Sequence, residues 1–207
     1  MKHTNELRFI GITGGVGAGK SEILKFIRKH YKCEIWLADE VAHLVKKRGT
    51  ACFEALVELL GADVLATDGE IDKAKMADKI FGDEKILEQV NALIHPAVQE
   101  FLLERLEEAK KNPEIELFFV EAALLIEAGY RDLVDEMWYI YADEDVRRKR
   151  LKASRGYSDA KITSIMLQQL SEEMFRETCD FVIDNSGLLK SSYRQIEKKL
   201  EAFTWLE

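Results

Sequence analysis

The chain has 207 residues, of which 47% are hydrophobic and 33% are charged, and its net charge is −8; this composition predicts one compact water-soluble domain or one core with insertions. The negative balance argues against bulk binding of nucleic acid, which depends on a cationic surface. The three cysteines show no spacing typical of a disulfide or zinc site, and no apolar stretch approaches the ~18 residues of a membrane span, so we expect a cytoplasmic protein that binds neither nucleic acid nor membrane.

Strand and helix patterns alternate along the chain. Short apolar runs typical of buried strands occupy 9–13, 33–38, 115–122, 136–143 and 179–185. Helical spacing is found between them, notably over 20–31, 83–111 and 191–203. Within the long pattern over 83–111, the pair His95-Pro96 predicts a bend or a helix boundary, because proline disturbs a helix interior. Five strands alternating with helices predict an α/β fold with a mainly parallel sheet covered on both faces.

A glycine-rich segment, GGVGAGKS over 14–21, links the first predicted strand to the first predicted helix and fits the pattern G-x-x-x-x-G-K-[ST]. The glycines allow backbone N–H groups to turn around phosphate oxygens, and the helix adds its positive N-terminal end. In this mechanism Lys20 reaches the β- and γ-phosphates and the Ser21 hydroxyl ligates Mg²⁺. We therefore predict an ATP site formed by Gly15, Val16, Gly17, Ala18, Gly19, Lys20, Ser21 and Glu22.

Glu22 stands in the first turn of this helix, where an acid suits the positive helix end. The same carboxylate would repel the α-phosphate of a bound nucleotide. We therefore expect its side chain to point away from the phosphates.

Two acidic residues lie at the carboxyl ends of predicted strands. Ligands of open parallel sheets bind at the carboxyl ends of the strands, so Asp39 can accept a proton from an attacking hydroxyl or help to hold Mg²⁺. A helix N-cap is an equal alternative for Asp39. Glu121 ends the third strand, as an acid that binds Mg²⁺ through water does in phosphate-loop proteins, although other carboxylates at a sheet edge give the same pattern. A functional role is also conceivable for His95 beside Pro96, and the alternative is a histidine that packs in the core or caps a helix.

Residues 143–178 are charged and helical in pattern, which predicts either a solvated surface or a mobile lid. Four arginines follow the fourth strand: Arg147, Arg148, Arg150 and Arg155. A net-negative protein that binds polyphosphates needs local cations, and an arginine over a transferred phosphoryl group contributes ~10³-fold or more in rate.

Five stretches resemble the dephospho-CoA kinase family in order and spacing, over nearly the whole chain: GITGGVGAGKS, ADEVAHLV, VNALIHP, ALLIEAGY and CDFVIDNSG. The resemblance implies a P-loop NTPase fold with a five-stranded, mainly parallel sheet flanked by helices. It also implies a single domain over 1–207, with a core at about 8–45, 113–142 and 179–205, a helical acceptor-binding region at about 46–112 and a lid at about 143–178. The implied reaction is phosphorylation of the ribose 3′-hydroxyl of dephospho-CoA by ATP, giving coenzyme A and ADP, the last step of coenzyme A biosynthesis.

The resemblance also assigns roles to individual residues. It implies catalytic roles for Lys20, Asp39 and Arg150, ATP binding by Arg155, and Mg²⁺ binding by Ser21. The implied acceptor-binding residues are Asp39, His95, Pro96, Glu121, Leu124, Leu125 and Glu127, and Gln169 matches a glutamine of the lid. We expect a monomer or a weak homo-oligomer whose substrate is a small molecule.

The chain departs from the family pattern at several positions. Leu37 replaces a frequent acid, Glu22 replaces a small residue, and Phe175 replaces a basic one. Two lid arginines are usually four residues apart, whereas Arg150 and Arg155 are five apart, which places Ser154 at the second position. Two alternatives therefore stay open: another P-loop nucleoside or nucleotide kinase, or a nucleotide-binding paralogue without kinase activity.

Overall fold

A computed structural model describes residues 7–204. Residues 1–6 of the expected domain, and its end at 205–207, lie outside this range. The chain divides into two compact units. We call the residues up to Ile35 and from Asn112 onward the core unit, and Trp36–Lys111 the helical unit.

The part of the chain over 7–204 forms a five-stranded sheet with strand order β2-β3-β1-β4-β5. The strands are β1 (Arg8–Thr13), β2 (Cys33–Leu37), β3 (Leu117–Glu121), β4 (Glu136–Tyr141) and β5 (Phe181–Asp184). Strand β1 pairs in parallel with β3 and β4, and β4 pairs in parallel with β5. In this register Ile12 is opposite Glu121, so the carboxyl ends of β1 and β3 lie side by side. The predicted α/β fold with a parallel sheet and flanking helices is confirmed.

Apolar strands fill the centre of the core unit because parallel sheets are covered on both faces. In β3 the first four residues are buried, and Trp138 of β4 is buried against the ring of Phe119, 5.8 Å away between centroids. Fully burying such a side chain contributes about 1.5–3 kcal/mol. The helices of this unit are α1 (Lys20–His30), α6 (Glu144–Arg155), α7 (Asp159–Leu167), α8 (Glu172–Thr178) and α9 (Leu189–Thr204).

The helical unit is organised around one long helix. Its helices are α2 (Ala38–Leu44), α3 (Ala51–Leu60), α4 (Lys73–Ile80) and α5 (Glu84–Ala109). Helices α2, α3 and α4 all contact α5. On α5, Val98, Leu102 and Leu106 are buried at intervals of four residues, which is the spacing of one helix face.

Helix α5 continues through Pro96, so the expected helix boundary at His95-Pro96 is wrong. Proline has no N–H, and the carbonyl of Ala92 therefore cannot receive its usual bond from residue 96. The buried side chains of Val90 and Val98 lie on either side of the proline. Their burial holds both halves of α5 in one helix despite the local cost, as tertiary packing often overrides local preference.

Candidate active site

The glycine-rich loop joins β1 to α1 as a tight turn. Gly19 is the N-cap of α1 and has φ 93°, a left-handed conformation that favours glycine. A Cβ at this position would lie 2.5 Å from Nδ2 of Asn185. Within the loop, the Ala18 N–H donates to the Gly15 carbonyl over 3.1 Å. The start of α1 has no side-chain cap, so the helix presents its first backbone amides at the end of this turn.

Lys20 lies folded over the loop. Its Nζ donates to the Gly14 carbonyl over 2.7 Å and lies 3.5 Å from Oε1 of Glu121. The two side chains are only 14% and 18% exposed. The pairing of β1 with β3 explains this contact, because it places Glu121 beside the strand that leads into the loop. The structure thus brings together two side chains that are 101 positions apart in sequence numbering, from Lys20 to Glu121.

Arg150 of α6 and Asn185, which follows β5, hold the outer side of the loop. Arg150 donates from Nη1 to the Ala18 carbonyl over 3.1 Å and from Nη2 to the Asn185 carbonyl over 2.8 Å. Nδ2 of the fully buried Asn185 donates to the same Ala18 carbonyl over 2.7 Å, and Oδ1 accepts a bond from Ser192. In the sequence, Asn185 had no separate signal beyond its place in the stretch CDFVIDNSG.

Arg147 and Gln169 form a second set of contacts with the loop, which we call the Val16 clip. The Val16 N–H donates to Oε1 of Gln169 over 3.1 Å, and Arg147 Nη2 donates to the same oxygen over 2.7 Å. Arg147 Nε donates to the Val16 carbonyl over 2.9 Å. A Cβ on Gly15 would overlap the Arg147 guanidinium, and burial lowers the pKa of Arg147. Both backbone polar groups of Val16 are therefore fixed by residues 147 and 169.

The other lid arginines have different surroundings. Arg148 donates to Glu144 over 2.7 Å, one helical turn away, and to Thr163. The guanidinium of the exposed Arg155 lies 5.9 Å from the ring of Tyr157. Ser154, at the position where the family has its second arginine, donates to the carbonyl of Arg150 within α6. ATP binding by Arg155 stays a prediction.

Ser21 and Glu22 both lie exposed in the first turn of α1. Glu22 accepts a 2.6 Å bond from Lys25, three residues further along the helix, so this pair directs the carboxylate along α1. The Ser21 hydroxyl and the Glu121 carboxylate are oxygen donors, which is the ligand type that Mg²⁺ prefers. Over residues 7–204 there is no group of three or more His, Cys, Asp and Glu side chains that could hold a metal ion. A sparse oxygen set fits Mg²⁺, which keeps several waters and binds substrate phosphates.

The predicted acceptor-binding residues after β3 differ in exposure. Leu124 is 55% exposed, and Glu127 is exposed in the following turns. Leu125 is fully buried, and its Cδ2 would lie 2.5 Å from a Cβ on Gly11, so it packs against β1. Their roles in acceptor binding stay predictions.

Asp39, in the helical unit, lies exposed in the first turn of α2. Because β2 ends at Leu37, the N-cap of α2 is Leu37. The alternative that Asp39 caps this helix is therefore wrong. His95 and Pro96 are exposed in the interior of α5, which also excludes a packed or capping His95.

A parallel α/β sheet whose first strand leads through a glycine-rich turn and a partly buried lysine into a helix defines a P-loop protein. Among the residues described, no helix is long and apolar enough to cross a bilayer. The sequence model of one family, dephospho-CoA kinase, matches residues 8–191. The chain belongs to the dephospho-CoA kinase family.

Comparisons with individual proteins agree with this assignment to the family. A dephospho-CoA kinase of Carboxydothermus hydrogenoformans is 32% identical over 200 residues, which are 96% of this chain and 96% of the relative. A crystal structure of a Thermus thermophilus protein is similar, with a TM-score of 0.78 and 27% identity, over 95% of this chain and 97% of that one. The dephospho-CoA kinase of Campylobacter jejuni has a TM-score of 0.62 at 18% identity, over 96% and 98% of the two chains, and shows the fold alone.

Proposed function

We propose that this protein phosphorylates the ribose 3′-hydroxyl of dephospho-CoA with ATP and releases ADP and coenzyme A. The observation that carries the proposal is the loop with Lys20 held beside Glu121, in a chain that belongs to this family. The relative from Carboxydothermus hydrogenoformans, whose name gives the acceptor, matches along almost its whole length. The family match and the alignment with this relative both extend from the first strand to the last helix of this chain.

The phosphate end of ATP would be bound by the loop amides and Lys20. The Nζ of Lys20 would exchange its bond with the Gly14 carbonyl for phosphate oxygens, because an ammonium group binds a charged oxygen more strongly than a neutral one. Arg150 already lies against the loop at Ala18 and would place its positive charge near the phosphates. Fixed cations of this kind stabilise charge that develops during phosphoryl transfer.

The acceptor hydroxyl needs a base. We assign this role to Asp39, whose carboxylate is exposed and does not cap α2. The 3′-oxygen attacks the γ-phosphorus, the bond from that phosphorus to the β,γ-bridging oxygen breaks, and the hydroxyl proton passes to Asp39. The electron pair of the broken bond leaves with ADP.

Ser21 would be the protein ligand of Mg²⁺, and Glu121 would bind one of its waters. When bound, this ion neutralises charge on the β- and γ-phosphates. The helices α6, α7 and α8 would act as the lid that excludes water from the phosphates and so limits ATP hydrolysis.

Variants at Lys20 and Asp39 test these assignments. We expect Lys20→Ala to lower the rate by at least ~10²-fold with the protein still folded, because charge stabilisation at the transferred phosphoryl group is lost. We expect Asp39→Asn to reduce kcat by at least ~10²-fold, a typical contribution of a general base, with little change in ATP affinity. Steady-state ADP release and equilibrium ATP binding measure both effects.

The matched control for Lys20→Ala is Lys29→Ala, at the exposed far end of the same helix, which should have activity close to that of the native protein. Near-native turnover in Lys20→Ala would contradict the assignment of the loop. An intact kcat in Asp39→Asn would leave Asp39 without a role in catalysis.

A further inference from the structure

A small cavity in the helical unit is lined by cationic side chains. Its volume is about 120 Å³, and His43, Lys46, Lys47 and Lys73 lie on its wall together with one carboxylate, Glu70. We call these five residues and their cavity the lysine pocket. In a chain with a net charge of −8, three ammonium groups around one cavity are a marked local excess of positive charge.

Local folding explains why these residues converge. Lys46 and Lys47 follow the C-cap of α2, Val45, and Lys73 is the first residue of α4. Between them the chain turns back on itself, because the Asp72 N–H donates to the Val64 carbonyl over 2.9 Å and the Ala66 N–H donates to the Glu70 carbonyl over 2.8 Å. The Arg48 N–H, shortly after α2, donates to Oε2 of Glu70 over 3.1 Å and joins this turn to the residues that follow α2. The N-terminal end of α4 therefore lies at the pocket.

The charges of the pocket are not balanced from within. Burial lowers the pKa of Lys46, and the neighbouring charge of Lys73 lowers it further, while Asp39 acts in the opposite direction. Within residues 7–204, Lys46, Lys47 and Lys73 form no ion pair, whereas Lys79 of α4 is 2.8 Å from Asp63. Glu70 itself accepts a 3.1 Å bond from the Arg48 N–H. Like charges held together around a half-buried ammonium favour an anion between them.

The lysine pocket lies close to Asp39 along α2. His43 is four residues after Asp39 and so lies on the same helix face, about 6 Å further along the axis. In dephospho-CoA, one ribose carries both the 3′-hydroxyl and the 5′-linked diphosphate, so a site for the hydroxyl at Asp39 requires a site for the diphosphate nearby.

We infer that the lysine pocket binds the diphosphate of the acceptor, with Lys46 and Lys73 as its principal cations. The inference rests on the proposed function, because the acceptor is identified there. Lysine binds phosphate as a point charge that adapts to its position, which suits a flexible diphosphate ester. Binding at this point orients the ribose so that its 3′-hydroxyl meets Asp39, and it sets the preference for acceptors with a 5′-diphosphate.

The first experiment compares Lys46→Met/Lys73→Met with the native enzyme. We expect KM for dephospho-CoA to rise at least 10-fold, while KM for ATP changes less than twofold. Lys79→Met is the matched control, since it removes the same charge from α4 outside the pocket. Glu70→Gln should have the opposite effect and lower KM for dephospho-CoA, because it removes the one negative charge on the pocket wall. Unchanged acceptor KM in the double variant, or equal losses for ATP and dephospho-CoA, would overturn the inference.

A second measurement does not depend on turnover. In a Lys20→Ala background, which weakens phosphate binding at the loop, inorganic pyrophosphate is titrated calorimetrically into proteins with and without Lys46→Met/Lys73→Met. We expect the two pocket substitutions to weaken pyrophosphate binding at least fivefold, and equal binding would overturn the inference. A native enzyme that releases no ADP with dephospho-CoA would instead refute the proposed function, and the titration would still decide whether the pocket binds diphosphate. Thermal unfolding confirms that each variant is folded.

Discussion

Arg147 donates to the carbonyl oxygen of Val16, and a carbonyl oxygen cannot bind phosphate. We therefore regard Arg147 as a positioning residue for the loop. Its Nε and Nη2 bonds, together with the bond from the Val16 N–H to Gln169, fix the loop from its outer side. A hydrogen bond to a charged group contributes about 1.5–3 kcal/mol. Part of that energy stabilises the loop conformation that binds phosphate. Removal of Arg147 should therefore lower mainly the affinity for ATP.

We predict that Arg147→Ala raises KM for ATP about 10-fold, which corresponds to about 1.4 kcal/mol, and changes kcat less than threefold. Gln169→Ala should have a smaller effect in the same direction, since Arg147 keeps its bond to the Val16 carbonyl. Arg148→Ala is the control, because Arg148 bonds to Glu144 and Thr163 rather than to Val16 or Gln169. Equal losses in kcat and in ATP affinity for Arg147→Ala, or none, would contradict a positioning role.

At the scale of single residues, the spacing of the motif predicted the glycine-rich turn between β1 and α1, whereas the contacts that hold this turn were not predicted. The ATP site in the turn stays a prediction. The motif around Lys20 is local, so its spacing alone identified it. Asn185 and Gln169 act on the loop from more than 150 positions away, through side chains whose partners are set by tertiary packing. The lysine pocket was missed for the same reason, because Lys46 and Lys73 are ordinary surface residues until the turn between α2 and α4 brings them together.

Among the helices, α5 carries a proline in its interior, and we expect this proline to lower the stability of the protein. Pro96 removes one helix bond and crowds the preceding turn, which costs about 3 kcal/mol in an ordinary helix. We predict that Pro96→Ala raises the free energy of unfolding by about 1–3 kcal/mol, measured by urea denaturation. Glu100→Ala, exposed one turn later on the same helix, should change it by less than about 0.5 kcal/mol.

An unchanged or lower stability of Pro96→Ala would mean that α5 tolerates its proline without cost. If the stabilised variant also binds dephospho-CoA more weakly, Pro96 has the acceptor-binding role that the family resemblance implies. In that case the protein keeps a destabilising residue because its function requires it, a known trade-off at functional sites.

Elements were predicted most reliably where their pattern is long or strongly apolar. All five strands lie within two residues of the expected bounds at each end, since buried parallel strands are continuous apolar runs. The His95-Pro96 boundary was wrong because a local breaker was weighed without the packing of Val90 and Val98 on either side. The N-cap alternative for Asp39 failed for a simpler reason: the strand before it ends one residue earlier than predicted.

The whole molecule should lose stability in alkaline solution. Burial raises the pKa of Cys33 to about 11 and that of Cys179 to about 12, whereas an unfolded thiol titrates near pH 8.5. Between about pH 8.5 and 11 the unfolded chain has lost these protons and the folded chain has kept them. Stability therefore falls as pH rises, because the folded state binds more protons there.

We predict a lower free energy of unfolding at pH 10 than at pH 7.5, with a smaller difference in Cys33→Ala/Cys179→Ala. Urea denaturation at the two pH values measures it, and the readout is the difference between them, so a uniform loss of stability in the variant does not interfere. An equal alkaline loss in the variant and the native protein would show that these thiols are not responsible.

The central claim is the transfer of the γ-phosphoryl group of ATP to the 3′-hydroxyl of dephospho-CoA, and product analysis tests it most directly. The protein is incubated with ATP, Mg²⁺ and dephospho-CoA, ADP release is followed by a coupled assay, and the position of the new phosphate is determined by mass spectrometry and NMR. We predict ADP release that depends on dephospho-CoA, exceeds that with nucleosides and nucleoside monophosphates, and yields coenzyme A in equal amount. ADP release without a phosphorylated product, or a clear preference for a nucleoside or nucleotide acceptor, would contradict the account.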